Sequence, residues 1–288
     1  MIKLISEKVE MQRFVKQHKT HSRTIAIVPT MGGLHEGHLA LVAQAKAVAD
    51  IVVVTIYVNP TQFAAGEDLE RYPRTLDDDL MALQEQALAD CVYMPASMYR
   101  ERHATSIVPS GAALPLEGEY RPQFFTGVAT IVLKLFHHIQ ADFALFGEKD
   151  FQQCAVIKQM VDDLDVPISI ITCPTERDYD GLALSSRNRY LTAEERQIAP
   201  KLYQAMQALA ANLTAGKDVT DAIAHASENL VKAGFTKIDY ISLCDPDTLE
   251  AVSSKDDVRP ETRILVAAFL GQTRLIDNGS LEKLCSAQ

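Results

Sequence analysis

At 288 residues the chain is long for one domain and short for three, and its 47% hydrophobic content can fill two cores. A formal net charge of -10 excludes a generic nucleic-acid binder, which carries a basic stripe. No apolar run approaches the roughly eighteen residues of a membrane-spanning helix, so neither nucleic acid nor membrane is expected as a partner.

The first residues, Met1-Ile2-Lys3-Leu4-Ile5-Ser6-Glu7-Lys8, turn charged quickly and lack the apolar centre of a signal peptide. Thr24-Ile25-Ala26-Ile27-Val28 reads as a buried strand, followed by a glycine-rich turn. A helix follows with Leu41, Val42, Ala45, Val48 and Ala49 on one face. Ile51 to Tyr57 is a nearly continuous apolar strand, the pattern of a parallel sheet covered on both faces. A helix through Leu76, Leu80, Leu83 and Ala87 leads to a strand at Cys91 to Pro95. A helix through Val128, Ile131, Val132, Leu135, Phe136 and Ile139 precedes a strand at Phe143 to Phe146. A last helix (Phe151 to Leu164) and strand (Ile168 to Ile171) close the series. Strict alternation of strand and helix predicts an α/β fold, a doubly wound parallel sheet of Rossmann-like form over residues 1–182. Ligands of such sheets bind beyond the carboxyl ends of the strands.

The pattern then changes. Thr192 with Glu195 is a capping-box signature, and Pro200 should kink the helix or delay its regular part. A helix near Val219 to Leu230 and alternating runs at Ile238 to Leu243 and Ile264 to Ala267 predict a smaller α+β carboxy-terminal domain, a lid, over residues 183–288. The five cysteines, Cys91, Cys154, Cys173, Cys244 and Cys285, are odd in number, widely spaced and free of any CxxC pair. Reduced thiols in a cytoplasmic protein are the economical reading.

Chemistry concentrates in a few turns. Pro29-Thr30-Met31-Gly32-Gly33-Leu34-His35-Glu36-Gly37-His38 joins the first strand to the first helix. Its glycines let backbone approach a phosphate, and the helix start offers N–H groups and a positive dipole end to an anion. Two histidines three residues apart can face one phosphate chain and stabilise charge developing on its oxygens. A metal pair is the rival reading, but no third ligand lies nearby; two ordinary surface histidines are the other. The position and flanking glycines favour a nucleotide, and the pattern resembles the HIGH motif of the nucleotidyltransferase superfamily. An acidic chain binding an anion must then supply its positive charge locally.

Phe146-Gly147-Glu148-Lys149-Asp150-Phe151-Gln152-Gln153 follows another strand; Lys149 can neutralise a triphosphate, and the glutamines offer amide donors. A glycine turn with a charged helix cap accounts for the same residues. Asp180-Gly181-Leu182-Ala183-Leu184-Ser185-Ser186-Arg187-Asn188 reads either as a serine-rich linker or as a mobile phosphate clamp, and it resembles the KMSKS loop that accompanies HIGH. Tyr57-Val58-Asn59-Pro60-Thr61-Gln62-Phe63 is on chemistry alone a structural turn, although Gln62 can bond a hydroxy acid. Asp77-Asp78-Asp79 suits Mg²⁺ or, more simply, the amino-terminus of a helix.

As an ordered set, MGGLHEGH, YVNPTQF, the segment Asp68 to Thr75, Arg121-Pro122 with Phe125 and Gly127-Val128, FGEKDFQQ and DGLALSSRN resemble the pantothenate synthetase family. The resemblance runs from near residue 24 to about 195 and is weaker beyond. It implies ATP-dependent condensation of pantoate with β-alanine through a pantoyl-adenylate, releasing pyrophosphate and AMP, with Mg²⁺ required and a homodimer formed. It implies ATP contacts from Met31, Gly32, Gly33, Leu34, His35, Glu36, Gly37 and His38, from Gly147, Glu148, Lys149 and Asp150, and from Leu184, Ser185, Ser186 and Arg187. His38 would be the proton donor, with His35, Lys149 and Arg187 sharing the catalytic work, and Gln62 and Gln153 would bind pantoate. Some residues depart from the family pattern. Gly33 replaces alanine or asparagine, Phe124 a frequent histidine, and Glu176 a valine beside the adenine; His137 and Ala141 replace asparagine and proline. Another HIGH-motif adenylyltransferase with a different acceptor is the alternative, and a non-catalytic ATP-binding module is a third reading. A tRNA synthetase is disfavoured by the short, acidic chain.

Overall fold

The computed structural model describes residues 2–286, and the chain folds as two compact units, Met1–Glu148 with Gln152–Pro174, and Lys149–Phe151 with Thr175–Gln288. The first unit runs β1 (Lys3–Ile5), α1 (Lys8–Lys19), β2 (Ile25–Thr30), α2 (Glu36–Val48), β3 (Ile51–Ile56), α3 (Leu76–Glu85), β4 (Cys91–Tyr93), α4 (Glu117–Tyr120), α5 (Phe124–Ile139), β5 (Phe143–Gly147), α6 (Phe151–Asp163, its first residue in the other unit) and β6 (Ser169–Cys173). Among the described residues, these six strands form one sheet in the order β1-β4-β3-β2-β5-β6, with parallel pairing throughout.

Why the central strands read as unbroken apolar runs is visible in β2. Ile25 and Ile27 point into a core shared with Met11, Phe14, Val128, Val132 and Phe136 of α1 and α5. Ala26 and Val28 point the other way, into a core with Leu39, Val42 and Ala45 of α2. Alternate side chains on a strand take opposite faces, so a sheet covered on both sides needs apolar residues at every position. Full burial of each large aliphatic side chain contributes about 1.5–3 kcal/mol. Register is fixed from Ile25 opposite Ile51 to Thr30 opposite Ile56. The first strand and helix, β1 and α1, were not anticipated from sequence; β1 spans three residues and buries only Ile5.

In the second unit, α7 (Ala193–Ile198), α8 (Lys201–Thr214) and α9 (Val219–Ala233) precede an antiparallel sheet of β7 (Lys237–Cys244), β8 (Arg263–Leu270) and β9 (Thr273–Ser280), and α10 (Leu281–Ser286) follows. The capping box forms as expected, with Thr192 and Glu195 each bonding the other's backbone. Pro200 divides α7 from α8, where it occupies the amino-cap, because its ring denies the N–H that a continuous helix needs. Met206, Leu209 and Leu230 pack with Ile264, Val266 and Leu275 as this unit's core. Among the described residues, no helix is long and apolar enough to cross a membrane.

Candidate active site

Within the parallel sheet, strand order reverses direction between β2 and β5, the place where such sheets open a crevice for ligand. The glycine turn leaves β2 there. Thr30 Oγ1 donates to the Thr55 carbonyl at 2.6 Å and accepts the Gly32 N–H at 3.2 Å. Gly32 and Gly33 then take φ of 84° and 63°, the left-handed region glycine enters without penalty. Beneath the turn lies Asp79, 2% exposed. Its carboxylate accepts the N–H of Gly33 at 2.9 Å and that of Leu34 at 2.8 Å, and the Thr75 hydroxyl donates to it at 3.1 Å. A methyl group on Gly32 would sit 3.1 Å from Asp79 Oδ2, so the turn and the carboxylate are fitted to each other.

His35 is the amino-cap residue of α2, and His38, whose N–H bonds the His35 carbonyl at 2.8 Å, lies in its first turn. The two rings are tilted by 46° with centroids 4.1 Å apart. Two imidazoles therefore converge on one spot at the positive end of α2, as the spacing predicted; Glu36 between them is exposed.

Gln62 is brought to the same turn. Its Nε2 lies 3.1 Å from Met31 Sδ, and its orientation is dictated from behind. Asn59, 1% exposed, receives the Tyr99 and Thr61 hydroxyls on Oδ1 at 2.8 and 3.0 Å. Its Nδ2 therefore donates, to Gln62 Oε1 at 3.1 Å and to the Gly127 carbonyl at 3.2 Å. With its oxygen occupied, Gln62 presents its NH₂. Gly127 has no room for a side chain: a Cβ would stand 2.4 Å from the Thr61 carbonyl oxygen. Arg121 grips Glu67 with two 2.6 Å bonds, donates to the Gln62 carbonyl at 3.1 Å, and lies 3.8 Å over the Phe124 ring. Phe124 thus serves as an aromatic face for a guanidinium.

Of the paired glutamines, Gln152 is committed to structure. It is 3% exposed, accepts from the Glu117 N–H at 3.1 Å and donates to the carbonyls of Ala112 and Pro115 at 2.9 and 2.6 Å. It cannot serve a ligand as its sequence position allowed. Gln153 beside it is half-buried. Asp77 and Asp78 are exposed, unlike Asp79, and among the described residues no group of three or more His, Cys, Asp or Glu side chains is placed to hold a metal ion.

In the second unit, Lys149 has a largely buried side chain, 18% exposed, with Asp150 Oδ1 at 3.9 Å. Its carbonyl accepts the Asn278 amide at 2.7 Å. The segment from Glu176 to Leu184 doubles back on itself, Leu184 N–H to Glu176 carbonyl at 2.9 Å, with Arg177 bridging Ala183. The Glu176 side chain is exposed. Arg196 pins the turn by bonding Asp178 and Asp180 at 2.6 Å each. Burial opposes ionisation of Asp180, but the Arg196 guanidinium and the Leu182 N–H override it and hold the carboxyl below its usual range. Ser185 Oγ then caps the short 3-10 turn Ser186–Tyr190 by accepting the Arg187 N–H at 3.3 Å. The segment read from sequence as a serine-rich linker or a phosphate clamp is held by arginine–aspartate pairs, which its own letters did not announce.

Sequence reasoning missed Asp79 as a turn clamp, Asn59 and Tyr99 as the setters of Gln62, and the arginines Arg177 and Arg196. Asn59, Arg121 and Asp79 stood inside segments singled out in the sequence, where their residue type was the available signal; Tyr99, Arg177 and Arg196 are brought in by the fold.

A parallel sheet with a glycine turn and a histidine pair at its switch point defines a nucleotide-binding α/β protein of the HIGH-motif type. The chain belongs to the pantoate–β-alanine ligase family: the family model described as Pantoate-beta-alanine ligase matches residues 3–280. A pantothenate synthetase of Bradyrhizobium sp. (strain BTAi1) is 47% identical over 271 residues, covering 93% of this chain and 94% of the relative. One from Hyphomonas neptunium is 44% identical over 98% of this chain and 97% of its own length. Among solved structures, the pantothenate synthetase of Thermus thermophilus superposes with a TM-score of 0.89 at 40% identity, covering 97% of this chain and 99% of that one. The pantoate–β-alanine ligase of Francisella tularensis, solved with β,γ-ATP and β-alanine, gives 0.81 at 32% identity, with 98% of each chain covered.

Proposed function

We propose that this protein condenses (R)-pantoate with β-alanine at the expense of ATP, through a pantoyl-adenylate. A pantoate carboxylate oxygen attacks the α-phosphorus, the bond to the β-phosphate oxygen breaks, and pyrophosphate leaves. The neutral amine of β-alanine then attacks the acyl carbon, loses a proton and expels AMP. The first step needs positioning and charge neutralisation more than covalent help. His35 and His38, converging at the amino end of α2, are suited to donate to phosphate oxygens as charge develops, with His38 as proton donor. Lys149 and Arg187 add fixed positive charge. Met31 to His38, Gly147 to Asp150, Glu176 and Leu184 to Arg187 are the proposed nucleotide contacts. Gln62 and Gln153 are the proposed pantoate contacts.

The observation that carries this reading is the Gln62–Met31 contact at 3.1 Å. It sets an oriented amide donor, suited to a hydroxy acid, against the turn suited to a nucleotide. Both Asp79 oxygens are taken by backbone N–H groups, so Mg²⁺ is proposed to arrive on the nucleotide, ligated by phosphate oxygens and water as this ion prefers. There it would screen the triphosphate charge. A cytoplasmic homodimer is the accompanying proposal, checked by light scattering of the purified protein.

The test is an AMP-formation assay with pantoate, β-alanine and ATP omitted in turn. Pantoate alone should support exchange of pyrophosphate into ATP, and AMP should appear in step with pantothenate only when β-alanine is added. Exchange supported by another acid and not by pantoate would assign the fold to a different acceptor. ATP binding with no turnover would make the chain a binding module.

A further inference from the structure

We propose that Asp277 and Asn278, adjacent on β9, are positioning residues that set the place of both phosphate-binding cations of the second unit, Lys149 and Arg187. The proposal rests on the reading of those cations given above. Asp277 and Asn278 are 4% and 3% exposed, and Arg263 on β8 is 6% exposed, so this is a buried polar network whose bonds must be satisfied within the protein.

Its geometry admits one arrangement. Arg263 Nε is a donor only and bonds Asn278 Oδ1 at 2.7 Å, so Asn278 must present Nδ2 to the Lys149 carbonyl, which it meets at 2.7 Å. The same Arg263 guanidinium stacks 3.8 Å over the Phe151 ring. Residues 149–151 are thus held at two points, one by a strand amide and one by a stacked cation. Asp277 grips the other segment. Its two oxygens take Arg177 in a fork at 2.6 and 2.9 Å, and Arg177 also donates to the Gly181 carbonyl at 3.1 Å and lies 3.8 Å over Tyr203. From Arg177 the chain turns back and runs through Leu184 into the Ser185-capped turn that carries Arg187, and that turn packs on β9. One strand therefore fixes the backbone from which Lys149 projects and the segment from which Arg187 projects.

Such spacing has a functional reason. Electrostatic stabilisation of a phosphoryl transition state depends on charges that are already in place, and a displacement of about 1 Å can cost on the order of 10²-fold in rate. A strand registered against a neighbour holds position better than a loop.

A double-mutant cycle separates positioning from general destabilisation. Asn278→Asp keeps the acceptor for Arg263 but sets a carboxylate oxygen against the Lys149 carbonyl. It should lower kcat/KM for ATP at least about tenfold and weaken ATP binding when Lys149 is present. In a Lys149→Met background it should change either quantity less than about twofold. Equal losses in both backgrounds, or no loss in the first, overturn the proposal. Should Asn278→Asp fail to fold, Asp277→Asn against Arg187→Met decides by the same criterion. If the parent protein forms no AMP with pantoate and β-alanine, the functional reading fails, while ATP dissociation constants still run the cycle. A parent protein that binds no ATP overturns both.

Discussion

Asp79 and Gly33 stand 46 residues apart in sequence and 2.9 Å apart in the fold, carboxylate oxygen to backbone nitrogen. The bond gives a negative charge to a turn read as an anion site, and that charge is buried, at 2% exposure, and bonded to the turn's own backbone. With Leu34 bound to the other oxygen, two backbone donors are spent on holding the turn, while His35 and His38 remain at its far end.

Asp79→Asn tests this division of labour. An amide has one oxygen, so one N–H of the pair would face an NH₂ group instead. Hydrogen bonds to charged groups contribute about 1.5–3 kcal/mol, and a loss of that order is expected in urea denaturation. Activity should fall by about tenfold or more through the displaced turn. Excess Mg²⁺ should restore none of it. Recovery on titrating Mg²⁺ would make Asp79 a metal ligand and sink the clamp.

The histidine pair is expected to act mainly in the transition state. His38→Ala should reduce kcat about 10²–10³-fold, the range for removing one preorganised donor. The ATP dissociation constant should move by less than about tenfold. Equal losses in kcat/KM and ATP affinity, with kcat unchanged, would instead show uniform binding. Rapid-quench turnover beside calorimetric titration supplies both numbers.

Gly127 offers a steric test of the Gln62 arrangement. The new methyl of Gly127→Ala would stand 2.4 Å from the Thr61 oxygen and 2.7 Å from the Gln62 nitrogen, and the backbone must move to admit it. Overpacking of this kind costs about 1–3 kcal/mol. The pantoate KM should rise while the ATP KM stays near its original value, because the strain falls on the turn bearing Gln62. A variant with unchanged stability and pantoate KM would remove Gln62 from the acid's site.

How far the sequence reached follows from the same residues. Unbroken apolar runs located most strands of the parallel sheet, because burial of both sheet faces leaves a direct mark on composition. The strand β9 escaped because Thr273 to Ser280 contains Asp277-Asn278-Gly279, residues that ordinarily signal a turn. They lie in a strand because Arg177, Arg263 and the Lys149 carbonyl satisfy the two polar side chains. Likewise, Asp79 was legible as part of an acidic helix start, and its burial under a turn far earlier in the chain was not. Local pattern reports what each segment buries; it does not report which distant backbone a polar side chain will serve.

Acid sensitivity should trace in part to a residue outside the site. His138 on α5 has Tyr93 Oη 2.9 Å from its Nδ1. Burial, reinforced by Lys8 of α1 and by Lys134 and His137 of α5, lowers its pKa from 6.5 to about 4. The folded state therefore resists a proton that the unfolded chain accepts. Stability linked to this group is complete above about pH 6.5, declines as pH falls toward 4 because the unfolded state binds more protons there, and is level below. His138→Gln removes the titration while keeping a polar group beside Tyr93. Urea midpoints measured from about pH 7.5 to 4 should fall less steeply for the variant than for the parent, with the difference confined to the interval between about 6.5 and 4. Parallel midpoint curves would show that the His138 ring carries no such penalty.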